Sequence, residues 1–222
     1  MEVVLAIKQA LLVTLGLLPI MNPLGTVPLF LALTAPMPEP QRRQQAQRTC
    51  LYAFAILSAF LFLGNGIIAL FGISLAGIRV AGGLIVLVLA FRMLFEGVDQ
   101  AAEVDASPSE IRRAEVDFSF SPLAMPSLSG PGSIAVVMSY GSEIPREETI
   151  AGHAIVITGI AITVFSAYLA LIAASRIERF LGPHGIQAVT KIMGFLLTCI
   201  AVQFIASGVR DFIIAFSGAH AG

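Results

Sequence analysis

The residues of this chain best suited to chemistry sit in two short breaks within long apolar stretches. The first break is Pro19-Ile20-Met21-Asn22-Pro23-Leu24-Gly25-Thr26; the second is Pro126-Ser127-Leu128-Ser129-Gly130-Pro131-Gly132-Ser133. Proline lacks an amide hydrogen and clashes with the preceding helical turn. It also biases the residue before it, here Asn22 and Gly130, away from the helix. A helix interrupted in this way exposes unpaired amides and carbonyls, which hydrocarbon tolerates only where protein buries them or water reaches them. A helix restarting near Gly25 or Gly132 aims its first amides, and the positive end of its dipole, at the gap. Thr26, Ser129 and Ser133 add hydroxyls, Asn22 adds a carboxamide, and neither break carries a fixed charge. The expected chemistry is binding: a small polar pocket for a small zwitterion, with amides for a carboxylate and carbonyls for an ammonium group. The candidate binding residues are Asn22, Pro23, Gly25, Thr26, Ser129, Gly130, Gly132 and Ser133. The plain alternative is two proline kinks stabilised by neighbouring helices.

The rest of the chain offers little for catalysis. It has no nucleophile–base constellation, no HExxH and no phosphate loop, so no enzyme activity and no cofactor are expected. No Asp or Glu lies deep in a predicted span, which leaves a carboxylate proton relay without a candidate. Cys50 and Cys199 have no CxxC partner or metal-ligand spacing and read as small packing residues. Asn65, within Gly64-Asn65-Gly66, is either an interhelix hydrogen-bonding residue or a residue of the pathway. His153 reads as interfacial. Thr158, Thr163 and Ser166 read as helix-packing residues, and Gly82, Gly83 and Gly194 as points of close helix approach.

The elements that must hold the breaks are membrane helices. Of 222 residues, 57% are hydrophobic and 12% are charged, where a soluble domain carries about 25% charged residues. Mean hydropathy is +0.89. The near-neutral net charge of −1 argues against a nucleic-acid partner, which needs clustered Lys and Arg. A spanning helix needs about 20 mostly apolar residues. On that rule six spans are predicted, at 9–38, 49–78, 75–95, 118–142, 149–175 and 185–209. The first and fourth carry the breaks. A polar stretch over 96–117 separates the third and fourth spans. The chain therefore reads as one all-α transmembrane domain over 1–222, with halves of about 1–98 and 118–222.

One side collects Arg42, Arg43, Arg48, Arg92, Arg112, Arg113, Arg176, Arg179 and Lys191; the other collects Lys8, Arg79, Arg146 and Arg210. The positive-inside rule then makes the first side cytoplasmic and puts both termini outside.

The two halves resemble each other. Without a gap, Pro19 meets Pro126, Gly25 meets Gly132, Thr26 meets Ser133 and Pro38 meets Pro145. After a small insertion, Gly83, Ala90 and Arg92 correspond to Gly194, Ala201 and Gln203. Three spans per half is an odd number, so two copies must be inverted in the membrane, an arrangement that recurs in secondary transporters with discontinuous helices.

At these residues the chain resembles the MarC family of bacterial and archaeal inner-membrane proteins, which includes the SnatA small neutral amino-acid transporters. The resemblance covers essentially the whole chain. It rests on Asn22-Pro23-Leu24-Gly25 with Pro28, on Phe71-Gly72-Ile73-Ser74 followed by Arg79-Val80-Ala81-Gly82-Gly83, and on Pro122-Leu123-Ala124-Met125-Pro126 with Gly130-Pro131-Gly132-Ser133-Ile134. It implies six spans in the inner membrane and proton-linked transport of glycine, alanine or similar solutes. The residues themselves do not choose between a proton and sodium as coupling ion. Where the family commonly has a second small aliphatic residue, this chain has polar Ser127 and Ser129 around Leu128, a departure that bears on substrate choice. The competing reading is a non-transport membrane protein, in assembly or stress, whose breaks are only packing kinks. A passive channel is less well supported, because no ring of charge lines a predicted pore.

Overall fold

Helix breakers and caps set the element boundaries. The computed structural model describes residues 2–95, 117–145, 147 and 149–219. Its elements are α1 (Glu2–Met21), α2 (Pro23–Thr34), α3 (Glu39–Phe71), α4 (Leu75–Phe95), α5 (Ser119–Leu128), α6 (Pro131–Ser142), α7 (Thr149–Ile172) and α8 (Ala174–Ala219). Proline opens α2, α3 and α6, where its missing amide costs nothing and its fixed φ suits the first turn.

The corner Phe71-Gly72-Ile73-Ser74 shows how the α3–α4 turn is written. Gly72 takes the left-handed conformation (φ 63°, ψ 26°). The Ile73 amide then reaches back to the Ile68 carbonyl at 3.0 Å, the helix-closing bond that such a residue permits. Ser74 Oγ accepts from the Gly77 amide at 3.0 Å and caps α4.

Among the described residues, five helical stretches are long and apolar enough to cross a membrane: Val4–Met21, Glu39–Gly64, Leu75–Phe95, Thr149–Ile172 and His184–Ser217, with Pro23–Thr34 as a shorter apolar helix. Large apolar side chains cover the outside as well as the core. Leu15, Phe62, Leu63, Phe165 and Phe195 are exposed while Leu17, Leu57, Leu123, Leu128 and Leu197 are buried. An apolar exterior on this scale is suited to lipid rather than water.

The helices differ in extent from the hydropathy pattern. α1 begins seven residues before position 9, and α3 begins at Glu39, so Arg42, Arg43 and Arg48 are helical. α8 continues past position 209 and takes in Asp211. It is also broken at Gly182 (φ 64°, ψ 176°), which sets a short leading piece apart from the long apolar stretch. The polar stretch 96–117 lies outside the described residues except for Asp117.

Close packing comes from small residues. The most extensive helix pairing is α4 with α8. A methyl group on Gly83 would lie 2.9 Å from the Ala201 carbonyl oxygen, and one on Gly194 would lie 3.1 Å from the Ala90 carbonyl oxygen. Gly82 abuts Ala135 of α6 in the same way. α1 meets α7 where Gly159 faces the Ala10 carbonyl, and Thr14 Oγ1 bridges the Ala10 and Gly159 carbonyls at 2.9 and 3.3 Å.

Candidate functional site

Both breaks occur where the sequence places them, and they touch. α1 ends at Met21 and α2 starts at Pro23, with Asn22 between them in the left-handed conformation (φ 45°, ψ 63°). Asparagine is among the few non-glycine residues that visit this region, because its short polar side chain bonds locally. Here Asn22 Oδ1 accepts from the Gly25 amide at 3.2 Å and caps α2. Its Nδ2 points to Met93 Sδ of α4 at 3.4 Å. The Asn22 carbonyl accepts from the Thr26 amide and from Thr26 Oγ1, each at 3.3 Å. Thr26 Oγ1 lies 2.9 Å from Ser127 Oγ. Either hydroxyl can donate across the junction. One hydroxyl from each break thus closes the gap between them.

The second break is built differently. α5 is wound with i→i+5 bonds, Leu123 N–H to Phe118 O at 3.4 Å and Ser129 N–H to Ala124 O at 2.8 Å. Ser121 (φ −125°, ψ 128°) and Met125 (φ −127°, ψ 123°) are extended inside it, the region that a following proline, here Pro122 and Pro126, favours. Ser129 Oγ donates to Ala124 O at 2.8 Å and Ser133 Oγ to Leu128 O at 3.2 Å, so two buried hydroxyls satisfy carbonyls of the irregular segment. Gly130 is extended (φ −68°, ψ 174°) and gives α6 no side-chain cap. Pro131 has no amide, and Ile134 is the first to bond back, to Gly130 O at 3.0 Å. The Gly132 and Ser133 amides have no acceptor within their own helix, and both residues are buried.

The two helix starts are therefore unequal. At α2 the Gly25 and Thr26 amides are taken by Asn22; at α6 the amides of Gly132 and Ser133 are not capped by a side chain. Met21 and Leu128 are fully buried beside the breaks. A side-chain carbon on Gly132 would meet Val86 Cγ2 at 2.9 Å and Ile20 Cγ2 at 3.4 Å.

Other candidate residues fall elsewhere. Asn65 lies in α3, and its side chain is outside the described residues. His153 stacks on Phe62 (ring centroids 5.2 Å apart) and bonds the Thr149 carbonyl at 2.6 Å. Thr158, Thr163 and Ser166 each donate to the carbonyl four residues back in α7. Thr163 is buried, whereas Thr158 is exposed and does not serve helix packing. Cys50 is buried and Cys199 exposed.

Two features were not read from sequence. Ser127, the hydroxyl that reaches Thr26, aligns with apolar Ile20 in the overlay of the halves, so the repeat gave no reason to pair it. The second is an ion cluster. Arg79 of α4 contacts Asp211 of α8 and Glu143 at the end of α6, and its Nε faces Ser139 Oγ at 3.4 Å. Its side chain is only 16% exposed, so the guanidinium ties three helices together.

An all-helical chain with an apolar exterior and two interrupted helices in contact defines a polytopic integral membrane protein with an internal polar junction. The MarC family of integral membrane proteins matches residues 7–213, and the chain belongs to that family. Its relatives include the UPF0056 inner membrane protein MarC of Escherichia coli K12, of the UTI89 strain and of O1:K1. Each is 37% identical over 206 residues, covering 89% of this chain and 92% of the relative. No solved structure matches.

Proposed function

We propose that this chain is a multi-pass protein of the inner (plasma) membrane that transports small neutral amino acids, such as glycine and alanine, by alternating access around its two breaks. The observation that carries the reading is the contact between Thr26 of one break and Ser127 of the other. Kinks that served packing alone would have no need to meet through hydroxyls. Substrate enters by parting this pair and satisfies both groups while they are apart.

The carboxylate is assigned to the Gly132 and Ser133 amides, because those of Gly25 and Thr26 are occupied. Such amides bind an anion without the desolvation cost of burying Lys or Arg. The Thr26 and Ser127 hydroxyl oxygens then face the ammonium group, and Met21 and Leu128 limit the size of the side chain.

The architecture proposed is six spans in two inverted repeats, with both termini outside. The α4–α8 contacts support it. Under the correspondence of Gly83 with Gly194 and Ala90 with Ala201, the contact of Gly83 with Ala201 maps onto that of Gly194 with Ala90, and both occur. Such reciprocity is what a two-fold relation produces. The approach of Gly132 to Ile20 mirrors that of Thr26 to Ser127 to within one residue. The Arg79 cluster is then a clamp across both halves at the outer end.

Binding to purified protein tests the site. Glycine and alanine should compete with each other. Methylamine and ethylamine, which lack the carboxylate, should not compete, and leucine should fail on size. Thr26→Val and Ser127→Ala should each weaken glycine binding about tenfold, the loss expected when a buried partner goes unsatisfied. Gly132→Val is a poor probe, since its side chain would strike Val86. Folded Thr26→Val and Ser127→Ala proteins that bind glycine like the parent would put the site elsewhere.

A further inference from the structure

A second polar site lies on the arginine-rich side, where α2 gives way to α3 and α7 to α8. A cavity of about 550 Å³ opens between the end of α2, the first turns of α3 and the α7–α8 corner. Three arginines, Arg42, Arg43 and Arg176, line it against one carboxylate, Glu39. The guanidiniums of Arg42 and Arg43 are held by neutral groups. Arg42 Nε donates to Thr34 Oγ1 and its Nη2 to Ser175 Oγ, each at 3.3 Å, and Arg43 Nε donates to Tyr168 OH at 3.4 Å. Arg48 and Arg79 differ in this respect, being paired with carboxylates. Part of the remaining wall is apolar and faces outward: Leu169 is 46% and Ile172 41% exposed at the end of α7, while Phe30 and Leu171 line the buried side.

We infer that this cavity is a binding site for an anionic glycerophospholipid, with its phosphate among Arg42, Arg43 and Arg176 and its acyl chains along Leu169 and Ile172. The charge requires an anion. The apolar wall, continuous with the lipid-facing surface of α7, requires that the anion carry hydrocarbon. A soluble phosphate would leave Leu169 and Ile172 uncovered and would have no need of a site at the membrane edge. Basic pockets between membrane helices on the cytoplasmic side are suited to such headgroups, and positive-inside counting puts these arginines on that side. The site is independent of the transport reading.

The chain contains no tryptophan, so Leu169→Trp gives a single reporter on the cavity wall. The full-length variant is reconstituted with phosphatidylcholine doped with brominated phosphatidylglycerol or, separately, brominated phosphatidylcholine. Brominated phosphatidylglycerol should quench far more strongly at equal mole fraction. Adding Arg176→Gln should weaken the preference roughly fivefold, and Arg43→Gln with Arg176→Gln about twenty-five-fold, at roughly fivefold per arginine. Arg48→Gln, outside the cavity, should leave it intact. Glycerol 3-phosphate should not displace the lipid. Equal quenching by the two lipids, displacement by glycerol 3-phosphate, or an equal loss in Arg48→Gln would overturn the assignment. Should the double variant misfold, Arg176→Gln alone decides.

Discussion

Asn22 offers a sharp test of how the first break is built, because its side chain and its backbone contribute separately. Asn22→Ala removes the cap on the Gly25 amide, at a cost of about 1 kcal/mol. It also leaves a residue with no local polar bond in the left-handed region, at about 1 kcal/mol more. The sum, about 2 kcal/mol, corresponds to a fall of about 4–8 °C in unfolding temperature for a chain of this size. Asn22→Gly loses the same carboxamide but carries no left-handed penalty, and glycine at a cap costs only a few tenths of a kcal/mol. It should shift unfolding by only about 1 °C. A thiol-reactive fluorophore supplies the assay: Cys50 is buried and Cys199 exposed, so in a Cys199→Ser background the dye reports unfolding through Cys50. Scans should be run at one fixed rate, since unfolding from detergent is commonly irreversible. If glycine proves as damaging as alanine, the left-handed backbone is not what selects asparagine here. If neither differs from the parent, the cap is not a stabilising contact either.

Gly83→Ala should destabilise by about 1–3 kcal/mol as an overpacked contact, because its methyl would lie 2.9 Å from the Ala201 carbonyl and 2.7 Å from Ile205 Cγ1; Gly194→Ala, at 3.1 Å from Ala90, should cost less. A gain in stability at Gly83, as helix propensity alone would give, would refute the close approach. Arg79→Gln should cost about 1–3 kcal/mol, between a surface pair and a buried one. Adding Asp211→Asn should recover part of the loss; full additivity in thermal unfolding would show that the two do not interact. The last expectation concerns Asp117. Burial alone would raise its carboxyl, but hydrogen bonds from Ser119 and then the Arg48 guanidinium outweigh that and hold it below the usual carboxylate range. A folded-state value below the unfolded one gives stability that is present at neutral pH and lost as pH falls through the folded-state value. The parent's advantage over Asp117→Asn should therefore shrink as pH falls through the ordinary carboxylate range and below it, and an advantage that persists unchanged below that range would contradict the assignment.

The breaks were legible in the sequence because proline and glycine act locally: Asn22-Pro23 and Gly130-Pro131 interrupt helices whatever surrounds them. The glycines of the α4–α8 contact were legible for a similar reason, since small residues in an apolar helix have few other uses. Helix ends were less so. Hydropathy reports where hydrocarbon begins, not where a helix begins, so the polar first turns of α3 and the last turns of α8 fell outside the predicted spans, and Asp211 with them. The role of Asn22 was also hidden. As an isolated polar residue it reads as a substrate partner, whereas its left-handed backbone turns the carboxamide onto its own helix. Ser127 was invisible as a partner of Thr26 because the contact joins positions that the repeat does not equate.

Counterflow in proteoliposomes tests the central claim most directly. Vesicles holding purified protein and unlabelled glycine are diluted into labelled glycine. The account predicts transient accumulation of label above protein-free vesicles, abolished by external alanine, unaffected by methylamine and reduced in Thr26→Val. Well-folded protein that gives no counterflow of glycine or alanine would contradict it and leave the two breaks as kinks in a membrane protein with another role.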